Sequence, residues 1–176
     1  MKCLAIGGEP ATGKTTLMRE VLKMVKPSKK FKYGLLRGYI EPFANVSVLG
    51  IYEHQEVFAG TDKLSMAVQK DFDKFVQLKT KNIIFEGDRL FTKKNLLYLT
   101  KNYETRIIIL KNEKKIIASR HINRGDNQSE TFKKSRHTKI SNIISEPNLK
   151  HIEFYKLNDI SESESLAAEI YNWFFI

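Results

Sequence analysis

A chain of 176 residues, 41% hydrophobic and 28% charged with four prolines, is long enough for one domain with a full core, expected here over 1–176, and is not a disordered composition. A single cysteine, Cys3, excludes an internal disulfide framework and a cysteine-ligated metal centre, and no apolar run approaches the 18 residues of a membrane-spanning helix. The net charge of +10 points to a polyanionic partner or to the triphosphate of a nucleotide.

That charge is uneven. Six basic and no acidic residues lie between Lys23 and Arg37, and nine basic against three acidic between Lys111 and Lys139, whereas Glu153 to Glu169 is acidic. Met1 leads straight into a strand, with no charged leader before an apolar segment, so the cytoplasm is the expected compartment and no membrane is expected as partner.

In chain order, Lys2 to Ile6 is a short apolar run ending in Gly7-Gly8. Lys14 to Val25 then repeats apolar residues at Leu17, Val21, Leu22 and Val25, the spacing of a helix. Lys26 to Lys32, with Pro27, reads as a connector, and Tyr33 to Ile40 and Val46 to Tyr52 read as strands from their β-branched and aromatic content. Leu64 to Leu78 places its apolar residues along one helical face. Asn82 to Phe85 is a strand stopped by Glu86-Gly87-Asp88, and Thr92 caps a helix running to Lys101. Arg106 to Leu110 is the most apolar strand; a helix over Glu113 to Asn123 follows and is broken at Gly125-Asp126-Asn127. Strand His151 to Tyr155 and helix Ser161 to Phe174 complete the chain. Unalternating apolar strands between helices predict an α/β fold, a three-layer sandwich with a mainly parallel five-stranded sheet.

The chemistry is concentrated in four places. Gly8-Glu9-Pro10-Ala11-Thr12-Gly13-Lys14-Thr15 fits the P-loop pattern without a gap, between a strand and a helix as the pattern requires. Its backbone N–H groups and the helix N-terminus form an anion nest, and Lys14 neutralises β- and γ-phosphates. Thr15 is positioned for Mg²⁺, and Thr16 for an α-phosphate oxygen. ATP and Mg²⁺ are therefore the expected cofactors.

The second place is Glu86-Gly87-Asp88-Arg89, at the carboxyl end of a buried strand, where open α/β sheets bind ligands. Glu86 is assigned to the metal and Asp88 to the proton of an attacking hydroxyl; the alternative is that both acids only cap the next helix. In the third, Arg120, Arg124 and Arg136 flank a polar turn within 120–137, which suits a basic lid closing over a triphosphate, or else a solvated pair of basic helices. The fourth, Gly60-Thr61-Asp62-Lys63, either caps the following helix or, with Arg89, forms an acceptor site. No single motif assembles a base pocket; Tyr39, Phe43, Tyr52 and Phe58 are the aromatic candidates, each expected in the core.

Strand, P-loop, carboxylate-bearing strand and arginine lid together resemble the nucleoside and nucleotide kinase branch of the P-loop proteins over nearly the whole chain. More narrowly, GTDKLSM at Gly60 to Met66, IIFEGDRLF at Ile83 to Phe91 and RGDNQSETFKKSRHTKI at Arg124 to Ile140 resemble the small bacteriophage kinases that phosphorylate 5-hydroxymethyluracil in DNA. The resemblance implies a P-loop kinase fold, ATP as donor, DNA bearing a modified pyrimidine as acceptor and the host cytoplasm as the place of action. A kinase of free nucleosides or nucleotides, and a P-loop ATPase or nucleotide-dependent binding module, are the competing readings.

Overall fold

In the computed structural model, which describes residues 1–53, 59–123 and 128–176, seven strands form one sheet. In chain order they are β1 (Lys2–Gly8), β2 (Lys29–Tyr33), β3 (Leu36–Glu41), β4 (Val46–Leu49), β5 (Asn82–Glu86), β6 (Glu104–Leu110) and β7 (Ile152–Tyr155). Across the sheet the order is β2-β3-β4-β5-β1-β6-β7. β4, β5, β1, β6 and β7 run parallel, while β3 is antiparallel to both of its neighbours. The fold is thus α/β with a mixed, mostly parallel sheet and six helices. The sheet has seven strands rather than the expected five.

β2 escapes a reading of the sequence because the segment from Lys26 to Lys32 carries Pro27 and a run of lysines, the composition of a connector. Lys29–Tyr33 instead pairs antiparallel with β3, from Lys29 opposite Ile40 to Tyr33 opposite Leu36. An edge strand leaves one side unpaired and accepts lysines that a central strand, buried on both faces, cannot.

The helices are α1 (Lys14–Val25), α2 (Gln69–Gln77), α3 (Lys93–Asn102), α4 (Lys114–Asn123), α5 (Glu130–Ile144) and α6 (Ile160–Phe175). The central strands bury both faces. Leu4, Ile6, Ile84 and Ile108 pack against α1 and α6 through Leu17, Val21, Ile170 and Phe174. On the opposite face Cys3, Ala5, Ile83, Phe85 and Ile107 meet Phe72 of α2, Leu96 and Leu99 of α3 and Ile140 of α5. Burial on both sides explains why these strands read as continuous apolar runs.

α2 begins at Gln69, five residues after the helix expected from Leu64, because Thr61–Lys63 forms a separate 3₁₀ turn. Neither Gly60 nor Asp62 caps α2, whose N-terminus is at Val68 with no side-chain cap. Thr92 does cap α3, its side chain accepting from Asn95 N. Phe43, expected in the core, is 98% exposed in the turn between β3 and β4, while Tyr39 and Tyr52 are half-buried against the α1 and α6 core and Phe58 lies outside the described residues.

Candidate active site

β1 is flanked by β5 and β6, so the loop after Gly8 leaves the middle of the sheet at the carboxyl ends of the parallel strands. Gly13 ends the loop with φ 102° and ψ 10°, a left-handed conformation that costs glycine least, and α1 starts at the next residue. Ala11 is also left-handed, at φ 62°. Thr12 Oγ1 donates to Glu9 O at 2.8 Å, closing the loop on itself. Lys14 Nζ folds back over it and donates to Gly8 O at 2.9 Å and Glu9 O at 2.8 Å. The two loop carbonyls thus hold the Lys14 ammonium against the loop.

Lys14 and Thr15 open onto a cavity of about 450 Å³ whose walls carry Asp62, Glu86, Asp88 and Arg136. Three elements supply these side chains. Glu86 ends β5, is 1% exposed and accepts from Thr15 Oγ1 at 3.2 Å. Burial pushes its carboxyl from 4.5 up to about 7; Asp62 and Asp88 add to the rise, and Lys14 and the Thr15 hydroxyl oppose it. Asp62 accepts from the backbone N–H of Arg89 at 3.0 Å. Although solvent reaches Asp62 through the cavity, surrounding protein raises its carboxyl above the usual range, with Asp88 adding and Lys14 opposing.

Asp88 is bracketed by cations. Arg136 Nε lies 2.9 Å from Asp88 Oδ2, an ion pair in which the N–H is not aligned for a hydrogen bond. Lys139 Nζ donates to the Asp88 carbonyl at 2.5 Å and stands 3.8 Å from its carboxylate. Burial lowers the Lys139 ammonium below its ordinary value, against the pull of Asp88. Neither Glu86 nor Asp88 caps α3, so the capping alternative does not account for them.

Gly60 fixes the distance between the Asp62 turn and Glu86. It sits at φ 78° and ψ −148°, and a Cβ there would stand 2.4 Å from Glu86 Oε1. Thr61 is fully buried, its hydroxyl without a hydrogen-bond partner, and Lys63 lines a neighbouring hollow with Arg37 rather than the main cavity. Of the four candidate acceptor residues, Asp62 and Arg89 therefore face the cavity.

The lid arginines part company. Arg136, on α5, lines the cavity and lies over the Phe132 ring at 4.5 Å. Arg120, on α4, is on the other side of the loop, donating to Ala11 O at 3.2 Å and Leu157 O at 2.8 Å and lining a separate hollow with Gly13 and Thr16. Arg124 lies outside the described residues. His137 of α5 meets Glu9 of the loop at 2.9 Å. Lys139 was missed by sequence reasoning, yet Phe132, Arg136 and Lys139 recur at four and then three residues, the spacing of one helical face.

Among the described residues no group of three or more His, Cys, Asp or Glu side chains is arranged to hold a metal ion by itself, and no helix is long and apolar enough to cross a membrane. No protein-family model matches the chain, and no curated protein matches its sequence.

Proposed function

We propose that this chain is an ATP-dependent kinase of the P-loop type that moves the γ-phosphate of ATP onto a hydroxyl group, with the hydroxymethyl group of 5-hydroxymethyluracil in DNA as acceptor. One observation carries the reading: the glycine loop and the acids at the end of β5 share one cavity, through Lys14 and Thr15 on one side and Glu86 and Asp88 on the other. The three segments that resemble the hydroxymethyluracil kinases also meet there, through Asp62 and Met66, through Asp88 and Arg89, and through Gln128 and Arg136.

In this reading the loop amides and Lys14 hold the β- and γ-phosphates. Thr15 and Glu86, a hydroxyl and a carboxylate 3.2 Å apart, are the hard oxygen donors that suit Mg²⁺, an ion that keeps several waters and needs few protein ligands. These two residues would hold it, and it would supply positive charge to the phosphate oxygens. Arg136 offsets charge on the transferring group, and Arg120 braces the loop from behind through the Ala11 carbonyl.

Two carboxylates can take the acceptor's proton. Asp88 stands at the strand end beside the loop, with its carboxylate oxygens facing Arg136 and Lys139. Among the described residues no cation is paired to the Asp62 carboxylate, and its raised pKa favours proton uptake.

The deciding experiment follows label from γ-labelled ATP into DNA containing 5-hydroxymethyluracil, unmodified DNA, free nucleosides or water, with wild type and Lys14→Ala. Label in the modified DNA that disappears in a folded Lys14→Ala protein is the expected result. Near-normal turnover by Lys14→Ala overturns the site. Label confined to free nucleosides, or phosphate released only to water, replaces the acceptor by a nucleoside or by water.

A further inference from the structure

We infer that the solvent-facing side of β2 and β3 is a docking track for the phosphate backbone of a single-stranded polynucleotide, leading toward the cavity. The inference rests on the kinase reading only for the direction in which the strand runs.

The face is built by register. Lys32 stands directly opposite Arg37, and Lys30 directly opposite Tyr39, so three cations and one aromatic ring share one side of the antiparallel pair. Like charges in direct cross-strand opposition cost stability. Among the described residues no ion pair or side-chain hydrogen bond relieves Lys30, Lys32 or Arg37. Lysine on an edge strand also discourages edge-to-edge pairing. That accounts for Lys30 and Lys32, but not for Arg37, which is on an interior strand.

The three cations line a groove of about 360 Å³ with Tyr39, in which Glu53 is the acidic residue among those described. The groove is at the ligand-binding edge of the sheet, because β3 runs antiparallel to β4 and brings Arg37 beside the end of that strand. Gly50 N donates to Arg37 O at 2.9 Å. From there Ile51 pairs with Gly60 through hydrogen bonds of 3.0 and 2.8 Å, and Gly60 abuts Glu86 in the cavity wall. Arg37 is shared with the hollow that holds Lys63, whose neighbour Asp62 lines the cavity. Arg37 and Lys63 therefore lie between the groove and the cavity wall. A single strand laid along the groove would need no unpairing before one of its bases entered the cavity.

The test measures binding of a fluorescein-labelled single-stranded thymidine oligonucleotide, and of the matching duplex, as a function of salt. Wild type is compared with the triple variant Lys30→Gln, Lys32→Gln, Arg37→Gln and with a charge-matched control, Lys114→Gln, Lys115→Gln, Lys150→Gln. Loss of three phosphate contacts should flatten the slope of log K against log salt by about 2, which removes roughly 20-fold of the affinity change between about 50 and 200 mM salt. The control should keep the wild-type slope. Equal slopes for wild type and the β2–β3 variant, a larger loss in the control, tighter binding of the duplex, or no binding by wild type each overturn the track. ATP binding by the same preparations should be unchanged; absence of ATP binding in wild type would sink the kinase reading and leave the oligonucleotide result standing on its own.

Discussion

Replacing Glu86 by Gln should make the ligand-free protein more stable at alkaline pH while abolishing transfer. The carboxyl is displaced from 4.5 to about 7, chiefly by burial, which corresponds to about 3 kcal/mol between its protonation states. Between those two values the folded chain holds a proton that the unfolded chain has released, so the wild type loses stability as pH rises from about 4.5 to about 7 and stays at the lower level above. The amide of the Glu86→Gln variant cannot ionise, and its oxygen can still accept from Thr15. Any cost of burying the amide NH₂ is independent of pH, so the diagnostic is the change in the gap between the two proteins. Urea unfolding near pH 4 and pH 8 should show the variant gaining about 3 kcal/mol on wild type between these pH values, or roughly 6–12 °C in Tm for a chain of this size. A gap that is the same at both pH values would refute the claim that Glu86 is buried and reluctantly charged.

Three further predictions address the cavity. Gly60→Ala forces a Cβ to within 2.4 Å of Glu86 Oε1 at a left-handed φ, and should cost about 1–3 kcal/mol in denaturant unfolding together with most of the activity. Arg136→Ala, which removes a cation from the cavity wall, should lower kcat about tenfold or more, whereas Arg120→Ala should act mainly on KM for ATP by loosening the loop; steady-state kinetics on both variants separates the two roles. Asp62→Asn and Asp88→Asn, assayed by single-turnover transfer, identify the base: the variant that loses the chemical step while still binding ATP held the proton, and full activity in both removes general-base catalysis by these two residues.

The glycine loop, the acids after β5 and the cap at Thr92 are legible because each is a local pattern in which spacing and residue type fix the backbone. The parallel strands are legible for a related reason: burial on both faces leaves no polar alternation to confuse with a helix or loop. What escaped depends on partners distant in sequence. Lys29–Tyr33 is a strand because β3 pairs with it, and nothing within the segment announces that. The helix expected from Leu64 starts late because Gly60 has to clear Glu86 and Asp62 has to reach Arg89 N, contacts 26 and 27 residues away along the chain. Arg120 and Arg136 look equivalent as lid arginines, but they belong to two helices on opposite sides of the loop.

The distribution of charge separates two explanations of a basic chain. If the excess served the triphosphate alone, the cavity would be a basin of positive potential. Among the described residues it holds Lys14, Arg89, Arg136 and Lys139 against Asp62, Glu86 and Asp88, four cations and three carboxylates, a near balance. In the kinase reading such a balance suits a site that must bind an anion and also withdraw a proton from an acceptor. Most of the +10 therefore lies outside the cavity. The cross-strand pair Lys32 and Arg37 is part of that excess, and folding brings the two together at a cost that an external anion would offset. A mononucleotide in the cavity would leave that cost unrelieved, whereas a strand whose phosphates followed β2 and β3, as inferred above, would lower it while delivering its base.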